Sequence, residues 1–184
     1  MKQLPESAVL LFEDETILRL FPVLRRAWSL RGEQAKVFIT GSNAKRVLFG
    51  TINLHTGHRI VWRAPNMRQE QFQKCLRLLR HCYPGRSVWM LLDQAPCHIA
   101  PKSQALAQDL DIELIFLPKQ CSELNAMDHL WRELKDDISA NYQFKTIDEH
   151  ADCAEEYILK LSNRQALRRA GILSKNFWLK LFLK

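Results

Sequence analysis

Three aspartates stand where carboxylate chemistry can be done. Asp14 follows the apolar run Ala8-Val9-Leu10-Leu11-Phe12, inside Phe-Glu-Asp-Glu-Thr, and Asp93 follows Val88 to Leu92, inside Leu-Leu-Asp-Gln-Ala-Pro. Short continuous apolar runs read as strands covered on both faces, and ligands gather at the C-terminal ends of strands in crossover-connected sheets. A carboxylate there is costly to bury unless paired, and neither flank offers an obvious Arg or Lys. A divalent cation answers that cost. Mg2+ and Mn2+ prefer hard oxygen ligands, and two such ions about 3.5–4 Å apart can clamp the attacking and leaving oxygens of a phosphodiester. Two aspartates are too few for that. Asp128, in the first turn of a helix beginning near Asn125, is the third candidate.

Each residue also has a plainer reading. Asp14 and Asp93 can be turn residues after strands, and Asp128 can belong to an Asn125-x-x-Asp128 capping arrangement at the positive end of the helix dipole. Strand-terminal and first-turn aspartates are common, so the three together carry the argument. His98, shortly after Asp93, can contact a substrate phosphate, orient a ligand or simply pack. Arg132 and Lys135, on the Asp128 helix, can meet DNA or face solvent.

The elements that would position these groups follow from periodicity. Lys36 to Thr40, Arg46 to Leu54 and Arg59 to Ala64 are β-rich segments broken by Gly41-Ser42-Asn43 and His55-Thr56-Gly57, and they predict an antiparallel meander. Phe72, Leu76, Leu79 and Tyr83 recur at helical spacing between Arg68 and Tyr83, and Pro84-Gly85 ends that helix. After the strand at Val88 to Leu92, Pro101 opens a helix through Leu110, and Ile112 to Leu117 reads as a further strand. Strand, helix, strand implies a parallel crossover. Met127, Leu130, Trp131, Leu134 and Ile138 line one helix face, and Thr146-Ile147-Asp148-Glu149 starts a last helix running to about Leu161. The order predicts an α/β domain, a mixed sheet with helices packed on it and no internal boundary.

The formal charge of +7 is concentrated in residues 157–184, where Lys160, Arg164, Arg168, Arg169, Lys175, Lys180 and Lys184 stand without an acid. Leu, Ile, Phe and Trp are interspersed, so the segment reads as basic and amphipathic. Phosphate contact through Arg168, Arg169 and Lys175 is one reading; a helix on the sheet with a solvated basic face is another, and a membrane-surface helix a third. The cysteines Cys75, Cys82, Cys97, Cys121 and Cys153 form no CxxC pair, which suggests neither a disulfide framework nor a zinc ribbon. The early apolar run is cut short by acids, which suits neither a signal peptide nor a membrane span, and the expectation is a cytoplasmic protein with no membrane partner.

Several motifs taken together are more specific: Phe12-Glu13-Asp14-Glu15-Thr16, the Trp28-x-x-Arg31-Gly32 turn, Leu92-Asp93-Gln94-Ala95-Pro96-Cys97-His98, and Leu117-Pro118 followed by Glu123-Leu124-Asn125-Ala126-Met127-Asp128-His129-Leu130-Trp131. In these the sequence resembles the mariner superfamily of cut-and-paste transposases, in particular its bacterial insertion-sequence branch, from about residue 8 to the C-terminus. The resemblance implies a ribonuclease H-like fold, a mixed five-stranded sheet flanked by helices, as one catalytic domain over 1–184. It implies Asp14, Asp93 and Asp128 as the catalytic metal ligands, two Mg2+ or Mn2+ ions, and double-stranded DNA, both transposon ends and target, bound by a homodimer in the nucleoid. The separation of Asp93 and Asp128 resembles the mariner type, whose third acid is Asp, whereas the bacterial branch often has Glu; Glu123 and Glu133 rank below Asp128. Relatives carry helix-turn-helix domains before the catalytic domain, and that region is expected to be absent here. The chain departs from the family pattern at Gln94, where Asn is usual, and at Ser122 and Ala126, which replace prolines and predict a less rigid loop before Asp128. A nuclease of the same fold acting on another nucleic acid, and a DNA- or partner-binding remnant without catalysis, are the alternative readings.

Overall fold

The computed structural model describes residues 8–181, so the segment before Ala8 and Lys184 of the basic stretch lie outside the described residues. Five strands, β1 (Val9–Arg19), β2 (Lys45–Asn53), β3 (Arg59–Ala64), β4 (Val88–Leu92) and β5 (Ile112–Phe116), form one sheet in the order β3-β2-β1-β4-β5. β1, β2 and β3 pair antiparallel, while β4 pairs parallel to both β1 and β5. This is the expected mixed sheet: hairpin connections give antiparallel neighbours, and helical crossovers give parallel ones.

The tight β2–β3 turn follows from its residues. The Asn53 carboxamide oxygen accepts from the backbone N–H groups of His55 and Thr56, each at 2.9 Å, and Gly57 adopts φ 72°, where a Cβ would also strike the Asn163 carbonyl at 2.4 Å.

Helices cover both faces, which is why the central strands read as unbroken apolar runs. On one face α1 (Gln69–Cys82), α2 (Pro96–Ile99) and α3 (Pro101–Asp109) pack over Val9, Leu11, Phe49, Met90 and Leu92. On the other, α4 (Ala126–Leu134), α5 (Ile147–Lys160) and α6 (Asn163–Arg169) pack over Leu10, Phe12, Leu48, Ile52 and Leu91. Successive β1 residues thus serve opposite cores. Among the described residues no helix is long and apolar enough to cross a membrane.

Three expectations are corrected. Lys36 to Thr40 forms no strand; it lies in an exposed stretch, with Phe38 89% exposed, and Thr40 N–H donates to Gln143 Oε1 at 3.5 Å. β-rich composition does not make a strand without a partner edge. β1 does not stop at the first aspartate but runs on to Arg19, because β2 continues to pair with it. Residues 157–181 are not one helix: α5 ends at Lys160, Ser162 and Gln165 form a capping box that starts α6, and a 3-10 turn spans Trp178–Leu181.

Candidate functional site

The parallel pairing of β1 with β4 ends at Phe12 and Leu91, and Asp14 and Asp93 each lie two residues beyond that last pair. Asp14 therefore stands where β1 loses its β4 neighbour while keeping β2, in which Gly50 is its partner. Asp93 leaves the sheet at the same edge. The chain then turns into α2, steadied by Gln94 Nε2 donating to the Leu117 carbonyl at 2.9 Å and by Ala95 N–H donating to Asp93 Oδ1 at 2.8 Å.

α4 is tied to this edge by its own residues. Asn125 caps it, accepting from Met127 N–H at 3.0 Å, and the same side chain donates to the Glu13 carbonyl at 2.7 Å. Trp131 Nε1 donates to the Asp14 carbonyl at 3.3 Å. The loop lacking the two prolines is held by a 3-10 turn, Ser122–Leu124, and by this cap. Asp128 is thereby brought near Asp14, with its Oδ2 paired to Arg132 Nη2 at 2.8 Å. A π-helical turn, Lys135–Ser139, follows α4 directly.

The electrostatics of the three acids differ. Asp14 is pushed up to about 8, first by burial and then by the charges of Glu15, Asp128 and Asp93. Asp93 is held below the usual carboxylate range, chiefly by its hydrogen bond from His98 and also by that from Ala95. Burial lowers the pKa of Lys135, and the negative charges of Asp128 and Asp14 oppose that shift. A cleft of about 320 Å³ opens at this edge, lined by Asp14, Asp93, Asn125 and the loop from Leu117 to Ser122.

His98 is 1% exposed, which corrects its reading as a DNA contact: its ring is closed off from any external phosphate. Nδ1 lies 2.9 Å from Asp93 Oδ1, and Nε2 lies 3.1 Å from Glu15 Oε1 and 3.4 Å from Glu13 Oε2. Burial works to lower its pKa, but Glu13, Asp93, Cys97 and Glu15 outweigh it and lift it well above the ordinary value. Glu13, wholly buried, is raised by that burial and by Glu15. Sequence reasoning passed over Glu13 and Glu15. Their signal is the run Glu13-Asp14-Glu15 in a strand, where alternation must send the outer two carboxylates to one face and the middle one to the other.

Among the described residues, the acid, cysteine and histidine ligand atoms that all lie within 4.8 Å of one another belong to Glu15, Cys97 and His98, and the three aspartates stand further apart. Two of the aspartates already have partners, Asp93 in His98 and Asp128 in Arg132. A thiol and an imidazole are poor ligands for Mg2+, whereas three carboxylates, one of them buried with its charge unbalanced, suit a hard divalent cation. Asp14, Asp93 and Asp128 could hold such an ion.

The basic residues divide by what they touch. Arg132 is engaged by Asp128, and Arg169 is held by Glu133 at 3.2 Å, by Asp137 at 3.1 Å and against the Tyr157 ring. Arg168 and Lys175 are exposed.

The model of a family described as DDE superfamily endonuclease matches residues 9–150. The insertion element IS630 uncharacterized 39 kDa protein of Shigella sonnei is 27% identical over 134 residues, which span 72% of this chain and 39% of that protein. An uncharacterized protein of Sinorhizobium fredii is 35% identical over 65 residues, 35% of this chain and 46% of that one. The chain therefore spans less than half the length of these two relatives. Among solved structures, the mariner Mos1 paired end complex with Mg superposes with a TM-score of 0.72 at 17% identity, covering 95% of this chain and 55% of that one. The catalytic domain of Mos1 mariner transposase gives 0.64 at 14% identity, covering 92% and 78%. The five-stranded mixed sheet with its flanking helices is thus the ribonuclease H-like fold of that catalytic domain. With the family match running through all three aspartates, the chain belongs to the DDE superfamily endonucleases.

Proposed function

We propose that this domain cleaves DNA at the ends of a mobile element and joins them to target DNA, using divalent metal ions held by Asp14, Asp93 and Asp128. The observation that carries the reading is Asp14: a carboxyl pushed up to about 8 by burial and by neighbouring acids, at the open edge where β1 and β4 part. Such a group is poorly accommodated until a cation meets it. Two Mg2+ or Mn2+ ions would activate the attacking hydroxyl or water and neutralise charge at the phosphodiester.

The chain's own residues supply position. The sheet fixes the backbones of Asp14 and Asp93 next to each other, and Asn125 and Trp131 hold α4 so that Asp128 approaches Asp14. Lys135, beside Asp14 and Asp128, is placed to meet a phosphate oxygen, and the wall from Pro118 to Ser122 borders the path of the strand. Alignment of this kind supplies a large share of catalysis in displacement at phosphorus. Duplex DNA, as transposon ends and as target, is the proposed substrate, in keeping with the Mos1 structures, whose names include a left transposon end, Mg and Mn.

Two ends must be joined, and the proposed working unit is a pair of copies on DNA. The stretch 21–44 supports it by offering apolar side chains to a second copy, Trp28 at 103% and Leu30 at 73% exposure. The nucleoid is the proposed place of action.

The test is incubation of the full chain and its Asp93→Asn variant with Mn2+ and duplex DNA bearing the ends of the surrounding element. Wild type should nick the ends and yield joined products, and the folded variant should yield neither. Cutting by Asp93→Asn at the wild-type rate would end this reading.

A further inference from the structure

One buried side chain beneath the cleft is engaged at both ends of its ring. His98 Nδ1 is 2.9 Å from Asp93 Oδ1 and 3.2 Å from the Asp93 carbonyl, while Nε2 is 3.1 Å from Glu15 Oε1 and 3.4 Å from Glu13 Oε2. Every one of these partners is an oxygen of a carboxylate or carbonyl, so the ring serves as donor on both sides. It is wedged against Phe72, with ring centroids 4.5 Å apart. Glu13 and Glu15 lie on β1 and Asp93 follows β4, so this tie crosses the junction of the two strands that bring Asp14 and Asp93 together. It does so beyond Phe12 and Leu91, where their backbone ladder has already ended.

We propose that His98 is a positioning residue, which fixes the carboxylate of Asp93 for metal binding through Nδ1 while Glu15 anchors the ring through Nε2. Asp93 needs such a device. Its side chain is 57% exposed, one residue past the end of β4, and free rotation there would have to be frozen each time an ion bound. Partners that orient a ligating carboxylate govern affinity in this way at metal sites generally. The same ring also occupies the carboxylate of Glu15, which would otherwise stand beside the ligands as a competing acid.

Because this rests on the metal-site reading above, the experiment carries an arm for each. Mn2+ affinity of the full chain is measured by electron paramagnetic resonance of the free ion for wild type, Asp93→Asn, His98→Asn and His98→Gln, with melting temperatures taken in chelator. The amide nitrogen of Asn replaces Nδ1, and that of Gln replaces Nε2. His98→Gln, which keeps the anchor but loses the bond to Asp93, should weaken Mn2+ binding about tenfold or more. His98→Asn, which keeps the bond to Asp93, should stay within about threefold of wild type, even where the two melting temperatures fall alike. Wild-type affinity in His98→Gln, or equal losses in both variants, overturns the positioning role while Asp93→Asn still loses the ion. Wild-type affinity in Asp93→Asn overturns the metal site itself. Should both His98 variants fail to fold, Glu15→Gln, which keeps the ring and loosens only its anchor, should weaken Mn2+ binding about threefold; unchanged binding there overturns the proposal.

Discussion

Trp131 lies on Gly50 so closely that a methyl group there would stand 2.4 Å from the indole Cζ2 and 2.5 Å from the Met127 methyl. Gly50 is also the β2 partner of Asp14. The missing side chain lets α4 settle on the sheet at the very position where Asp14 faces it, which is how an acid on that helix comes near one on β1.

Gly50→Ala should therefore destabilise the protein by about 1–3 kcal/mol through overpacking. It should also lower Mn2+-dependent cleavage at least about tenfold, because α4 must withdraw and carry Asp128 with it. Denaturant melts and nicking assays read both. A variant as stable and as active as wild type would show that this contact does not set the approach of α4.

Asp14 gives the metal-free protein a characteristic pH dependence. Its carboxyl moves from 3.8 to about 8 on folding, so between those values the folded state holds a proton that the unfolded state has released. The associated stability is full below 3.8 and is lost as pH rises towards 8. In chelator, Asp14→Asn should lack this decline and melt above wild type at the upper end of the window, yet gain nothing from added Mg2+. A wild-type melting temperature unchanged across that window, matched by the variant, would contradict the assignment.

Lys135 faces Asp14 and Asp128 from the start of the π-helical turn. Lys135→Met removes a cation that competes with a metal ion, so Mn2+ should bind at least as tightly as to wild type. Cleavage of DNA should nevertheless fall about tenfold or more, since a charge placed for phosphate is gone. Weaker Mn2+ binding in the variant would contradict this division of roles.

Arg168 and Lys175 are exposed, whereas Arg169 is committed to Glu133, Asp137 and Tyr157. Replacing Arg168 or Lys175 by Ala should lower the slope of log affinity for DNA against log salt by about one for each. Arg169→Ala should instead cost about 1 kcal/mol or less of stability. Identical salt slopes in all three variants would show that this surface does not meet phosphate.

Much of the scaffold is legible in the residues. Val9 to Phe12 and Val88 to Leu92 are apolar without alternation because each is covered by helices on both sides. Thr146 does accept from Glu149 N–H at 3.0 Å, as a cap before an apolar stripe should. The second half of β1 is not legible, because Glu13-Asp14-Glu15 looks like a strand end, and only pairing with distant β2 shows otherwise. Composition misleads in the other direction at Lys36 to Thr40, a β-rich segment that no strand edge receives. At the site, Asp14 and Asp93 announce themselves by position, while the approach of Asp128 depends on Gly50, an ordinary glycine until its neighbour across the fold is known. His98 is ambiguous for the same reason: its anchor Glu15 is 83 residues away in sequence.

The pleat of β1 sorts three consecutive acids by parity, with Asp14 delivered to the cleft side and Glu13 and Glu15 beneath it. Insertion or deletion of one residue between Val9 and Phe12 would leave composition and overall charge almost untouched, yet it would exchange the carboxylate at the cleft for the two that lie beside His98. Function in this strand is thus written in phase as much as in residue type, and a frame of apolar residues that tolerates many substitutions tolerates no slip.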